Sequence, residues 1–191
     1  MTWAVIFTIA IVIIVVAAFI IQRQQRDNAW KQLAADVGGE FISGGAFRAS
    51  KVQAHIKQWT LTLDTYTLSA GDSTTTFTRL RSGLQNKVGL QFKLFREGLV
   101  GKLDKALGGQ DIDIGVPDFD DAFVIQGSDP ARMQALLTDV KIRQLIQGQR
   151  SITLTLKGDE LRFEASGVIK DIPRLKSLFE LFGELLNRLE G

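Results

Sequence analysis

Asp111, Asp113, Asp118, Asp120, Asp121 and Asp129 fall within the twenty residues from Asp111 to Pro130, the densest group of side chains in the chain with metal-binding or acid-base capacity. Carboxylates at alternate positions are what a divalent cation, or a water activated by one, requires. The calcium-loop pattern fails all the same. It needs glycine at its sixth position and glutamate at its twelfth, and counting from Asp111 puts Val116 sixth and Ala122 twelfth. A metal-dependent hydrolase would need at least three of Asp111, Asp113, Asp118, Asp120 and Asp121 in one coordination sphere, a reading that stays open as an alternative. The local pattern offers a plainer account. Ile112, Ile114 and Val116 alternate with Asp111, Asp113 and Gly115, which predicts a strand with two aspartates on its solvent face, ended by Pro117. Asp118, Asp120 and Asp121 then occupy the connection to the apolar strand "AFVIQG", where short polar side chains bond nearby backbone. Asp129 before Pro130 is a helix start: the carboxylate accepts an orphan amide, and proline has none to satisfy.

Other routes to chemistry are few. His55 is the one histidine, and alternation turns it away from Val52, Ala54 and Ile56. No G-x-S-x-G elbow, phosphate-binding glycine loop or dinucleotide fingerprint occurs, and there is no cysteine. No catalytic, cofactor-binding or metal-binding residue is assigned, no cofactor is expected, and the chain is read as a non-enzyme.

The elements that carry these residues follow from hydrophobic period. "QRQQRDNAWKQLAADVGG" places Ala29, Trp30, Leu33, Ala34 and Val37 on one helical stripe and stops at Gly38 and Gly39. From Glu40 the period is two. Val52, Ala54 and Ile56, then Trp59, Leu61 and Leu63, predict a hairpin, and "STTTFTRLRS" and "VGLQFKLFRE" extend it into a four-strand antiparallel meander with one wet face. Leu99, Val100, Leu103 and Leu107 predict a short helix closed by Gly108 and Gly109. Met133, Leu136, Leu137 and Val140 keep helical spacing, and Thr138 is a candidate cap for a second helix through Ile142, Leu145 and Ile146. Ile152, Leu154 and Leu156, the turn at Gly158 and Asp159, and Leu161 and Phe163 form a hairpin. Leu175, Leu178, Phe179, Phe182, Leu185, Leu186 and Leu189 make one apolar stripe on a long C-terminal helix, to be covered by the sheet or by a second chain.

Upstream of all this, Trp3 to Ile21 is nineteen residues without a charge, interrupted only by Thr8. At about 1.5 Å per residue it reaches roughly 28 Å, enough for a hydrocarbon core about 30 Å thick. A cleaved signal would open on a basic region and close on small residues; here "MTW" is uncharged and Phe19, Ile20 and Ile21 are bulky, so an uncleaved anchor is expected. Arg23, Arg26 and Lys31 follow the span against Asp27, which places the C-terminal bulk in the cytoplasm and the N-terminus outside. The chain divides into an anchor at 1–21, an amphipathic stalk helix at 22–39 and an α+β domain at 40–191 built on antiparallel strands with a long C-terminal helix.

The overall charge of +2 divides unevenly. Residues 22–110 hold 13 basic and 7 acidic side chains, and residues 111–191 hold 10 and 14, giving +6 and −4. The basic half is nearer the anchor in sequence, an arrangement that anionic lipid favours. Neither half has the basic runs interleaved with aromatics that nucleic acid requires.

The run "FDDAFVIQGSDPARMQALLT" with the hairpin "ITLTLKGDELRF" resembles a widespread group of bacterial membrane-anchored proteins known as a domain of unknown function. The matching positions are Phe119 and Asp120, the strand Phe123 to Ile125, Gly127 and Asp129 at the helix start, and Leu136 to Thr138, within residues 111–163. The resemblance implies architecture, an N-terminal span holding an α+β domain at the membrane, and brings no site residue with it.

These observations predict a single-pass, membrane-anchored binding or scaffolding module of a bacterial cell membrane. Its expected partners are membrane lipid through residues 3–21 and another membrane protein, without nucleic acid; the oligomeric state is open. The first alternative is a carrier of a lipid or other apolar ligand, with a cavity behind the last helix lined by Phe77, Phe92, Phe95, Phe179 and Phe182.

Overall fold

The computed structural model describes residues 2–45, 48–97 and 111–190. The helix expected around Leu99 to Leu107 lies outside the described residues. Helix α1 runs unbroken from Thr2 to Asp36. Its N-terminal part is long and apolar enough to cross a membrane: mean hydropathy reaches 2.6 over an 18-residue window, none of which is buried. Its last turns behave differently, because Trp30, Leu33 and Ala34 are buried in the core. The Trp30 indole N–H donates to the Ile169 carbonyl at 3.0 Å, so this bulky side chain is buried with its polar handle satisfied. Gly39 then turns the chain onto the sheet, where a Cβ would stand 2.5 Å from the Gln53 carbonyl oxygen.

Among the described residues eight strands form one antiparallel sheet: β1 Glu40–Ile42, β2 Lys51–Ile56, β3 Trp59–Ala70, β4 Ser73–Gly83, β5 Phe92–Arg96, β6 Phe123–Gly127, β7 Thr153–Lys157 and β8 Glu160–Ser166. Their order across the sheet is β1-β2-β3-β4-β8-β7-β5-β6. The α+β class read from hydrophobic period is the observed one. The four-strand meander is corrected: β2, β3 and β4 are successive neighbours, but β8 and β7 stand between β4 and β5. The reason lies in the connection after β4. The Leu84 amide donates to the Asp159 carbonyl at 2.9 Å and the Asn86 side-chain amide to the Gly158 carbonyl at 2.7 Å, so the chain passes across the end of the β7–β8 hairpin before entering β5.

Register sorts the two faces. Phe41, Val52, Leu63, Leu80, Phe163, Leu154, Leu94 and Ile125 are successive partners in one row across all eight strands. The adjacent row, pointing the other way, is Gln53, Thr62, Arg81, Arg162, Thr155, Lys93 and Gln126, and none of these is buried. A period of two in every strand, combined with this register, is what makes one wet face and one dry face.

Helices cover the dry face. These are α3 Pro130–Leu137, α4 Val140–Gln147, α5 Ile172–Glu190 and the end of α1; α2 Pro117–Asp120 is a single turn. α5 buries Leu175, Leu178, Phe179, Leu181, Phe182, Leu185 and Leu186, and it packs against α1 and α4 of its own chain. The C-terminal stripe is therefore covered within the domain.

Candidate functional site

Three of the six aspartates bond nearby backbone or side-chain amides. Asp120 accepts from the Ile114 amide at 3.0 Å and the Val116 amide at 2.9 Å, Asp111 from the Gln126 side chain at 3.2 Å, and Asp129 caps α3 by accepting from the Arg132 amide at 3.1 Å. Among the described residues no group of three or more acidic or histidine side chains is placed to hold a metal ion. The strand expected over residues 111–116 is a correction: only a bridge between Asp111 and Gln126 forms, and Pro117 begins α2 instead of ending a strand. Asp120 takes the two amides that a sheet neighbour would need, and Gly115, at φ +77°, bends the segment back. Thr138 does not cap the second helix; its hydroxyl donates back to the Gln134 carbonyl at 2.8 Å, and Asp139 caps α4. His55 is exposed and pairs with the Thr60 hydroxyl at 3.1 Å.

The five phenylalanines do not line one cavity behind α5. Phe92, Phe179 and Phe182 are buried in the continuous core, and alternation puts Phe77 and Phe95 on the opposite face of the sheet. Phe77 there stacks on Tyr66 with ring centroids 5.3 Å apart. The Tyr66 hydroxyl donates to Glu164 at 2.7 Å, and Arg79 lies 5.0 Å over the Tyr66 ring while bonding both oxygens of Asp64. Burial, reinforced by the Glu164 carboxylate, pushes the Tyr66 phenol up to about 12.

The structure opens space elsewhere. Along β3 the core-facing positions are Leu61 and Leu63, and then Thr65 and Thr67; along β4 they are Leu80, and then Thr78 and Thr76. Two strands that face α1 thus change from large apolar to short hydroxyl side chains where the helix leaves the sheet. The result is a groove of about 520 Å³ between α1, the β3–β4 hairpin and the link from β8 to α5. Ala18, Phe19 and Val168 supply apolar wall, Thr65, Thr67 and Thr76 supply hydroxyls, and Arg23, Arg26, Arg48 and Lys170 supply positive charge.

Three of the four basic side chains are held by their surroundings. Arg26 bonds Asp27 at 2.7 Å and reaches the Ser50 hydroxyl at 3.4 Å, with its guanidinium 5.6 Å from the centre of the Trp30 ring. Arg23 donates to the Gly45 carbonyl, and Lys170 donates to Gln25 at 3.1 Å. Thr78 pins the link from β8: its hydroxyl donates to the Gly167 carbonyl at 2.7 Å and accepts from the Ile169 amide at 2.9 Å. Asp27 is the acidic neighbour of this cluster, so the groove keeps an excess of positive charge. Such a lining can hold an anionic headgroup against its basic side chains and hydrocarbon against Ala18, Phe19 and Val168.

Sequence reasoning found Arg23 and Arg26 as flanks of the span and missed Arg48 and Lys170, which are far away along the chain. The Leu-to-Thr change within β3 and β4 was the available signal.

The fold and groove define a class: an α+β domain with helices on one face of an antiparallel sheet, continuous with a helix apolar enough for a membrane. No family model matches the chain, and no curated protein matches it. Among solved structures the chain is similar to the mycobacterial trehalose monomycolate transport factor A, TtfA, with a TM-score of 0.54 and 10% sequence identity, over 87% of this chain and 96% of that one. At that identity the likeness is one of fold.

Proposed function

We propose that this chain is a membrane-anchored, non-catalytic lipid-handling factor that holds an amphiphile with an anionic headgroup where its anchor meets its domain. The observation that carries the reading is the groove itself, with Phe19 and Ala18 of the apolar helix on one side and four basic side chains on the other. The shared fold with a protein described as a trehalose monomycolate transport factor favours carriage over hydrolysis and over pure scaffolding. The ligand site proposed is this groove, since the space behind α5 is filled. A single crossing belongs to this proposal, and the basic residues after the span favour a domain on the cytoplasmic face. The resemblance of residues 111–163 to bacterial membrane-anchored proteins belongs to the same proposal.

The test uses the full chain in nanodiscs, with retained phosphatidylglycerol and phosphatidylcholine measured by native mass spectrometry. A basic residue near anionic lipid contributes about 1 kcal/mol, so Arg48→Gln with Lys170→Gln lowers retention of phosphatidylglycerol about thirtyfold and leaves phosphatidylcholine unchanged. Equal retention of phosphatidylglycerol by variant and parent would overturn the reading.

A further inference from the structure

Beyond the strands that flank it, the β3–β4 hairpin continues as a two-stranded ribbon. The ladder with β2 reaches Leu63 on β3 and the ladder with β8 reaches Thr78 on β4, apart from one bridge between Phe77 and Gly167. Thr67 still pairs with Thr76, Leu68 with Thr75, Ser69 with Thr74 and Ala70 with Ser73, and the turn is made at Gly71, whose φ of +58° suits glycine. All residues from Thr67 to Thr75 are exposed. A lone two-stranded ribbon is at best marginally stable in water, and soluble proteins protect such edges with lysine, proline or bulges. This one has no such device: from Thr65 to Thr78 its single charged side chain is Asp72, and Leu68 at its tip is 54% exposed.

The direction of the ribbon supplies the partner. Near its end α1 stands over Ala54 of β2 through Gly39; further back, Arg26 reaches Ser50; further back again, Ala18 and Phe19 share the groove with Thr67 and Thr76. Walking along α1 toward its N-terminus therefore follows β3 toward its tip, and the hairpin advances in the direction the apolar helix takes into the membrane. Leu68 to Ala70 add about 10 Å beyond Thr67 at about 3.3 Å per residue. Phe19 already belongs to the apolar run, so the tip cannot stay clear of a bilayer that α1 crosses.

We infer that the β3–β4 tip, Leu68 to Thr75, lies in the lipid headgroup layer beside α1, as a second membrane contact of the domain. The ribbon's unpaired backbone edges and hydroxyls find hydrogen-bond partners among headgroups and would find none in hydrocarbon, which limits its depth. The ribbon then forms one wall of the lipid groove at the membrane surface. This inference rests on the reading of α1 as a span.

Because the chain has no cysteine, single-cysteine variants report cleanly. Leu68→Cys, Thr74→Cys, Ile11→Cys in the apolar helix and Lys157→Cys at the far end of the sheet are each labelled with nitrobenzoxadiazole in full-length protein in phosphatidylglycerol–phosphatidylcholine nanodiscs. With headgroup-nitroxide lipid, labels at Leu68 and Thr74 are expected to be quenched several-fold more than the label at Lys157. Acyl-chain nitroxide is expected to quench Ile11. Quenching of Ile11 with hairpin labels no more quenched than Lys157 would overturn the inference and leave the anchor intact. An unquenched Ile11 would overturn both.

Discussion

Tyr66 is the only tyrosine in the chain, so its ionisation can be followed by ultraviolet absorbance without assignment. Burial is the larger cause of its raised value and the Glu164 acceptor the next. In the folded protein, titration is expected near pH 12, and Glu164→Gln brings the midpoint down toward the ordinary 10.0. The fold favours the protonated phenol, so its contribution to stability is complete below about pH 10 and is lost as pH rises through about 12. A folded-state midpoint at 10 in the parent would show that neither the burial of the phenol nor its Glu164 contact holds in solution. Local chemistry at this scale was partly legible. Asp129 before Pro130 caps its helix as the dipeptide predicts. Thr138 and Asp139 are adjacent capping types, and which one caps α4 depends on the half-turn at which α3 stops. The aspartates from Asp118 to Asp121 were correctly placed in a connection, but only the fold brings Asp120 onto the amides of Ile114 and Val116.

Among the elements, α5 has the clearest sequence signature: its apolar stripe is the buried face, with Leu181 widening it and Leu189 only half-buried at its end. Gly183 lies inside this helix, where a Cβ would stand 3.6 Å from Ile56 Cγ2, an ordinary contact. Gly183→Ala is therefore expected to stabilise the protein by about 0.5–1 kcal/mol, through the lower entropy of the unfolded chain. Urea denaturation of detergent-solubilised protein measures it, and a loss of stability would mean that α5 sits closer to β2 than described. The β7–β8 hairpin was equally plain from its alternation and Gly158, whose φ of +58° makes the turn. The threonines of β3 and β4 marked strands correctly; their second meaning, a retreat of the sheet from α1, needs the helix to be in place beside them.

For the whole molecule the decisive joint is Trp30, which ties the end of α1 into the same core as α5 and the sheet. Trp30→Ala removes a buried indole and leaves the Ile169 carbonyl without its donor, at an expected cost of about 3–5 kcal/mol. Denaturant unfolding of the full chain is the measurement. A cost below about 1 kcal/mol would mean that helix and domain are joined only by chain connectivity. The same joint sets the groove, because Arg26 lies over the Trp30 ring and Lys170 follows Ile169 directly. Helix and domain are thus coupled mechanically, which fixes the groove beside the C-terminal end of the apolar run.

Hydrophobic period alone determined the apolar helix, the antiparallel strands, the C-terminal helix and hence the α+β class, because each depends on side chains a few residues apart. Strand order, the filling of the space behind α5 and the meeting of Arg26, Arg48 and Lys170 were decided by tertiary structure. Those features depend on which distant segments share a ladder or a wall. A pattern of period two or 3.6 says which face of an element is dry and carries no record of what will cover it.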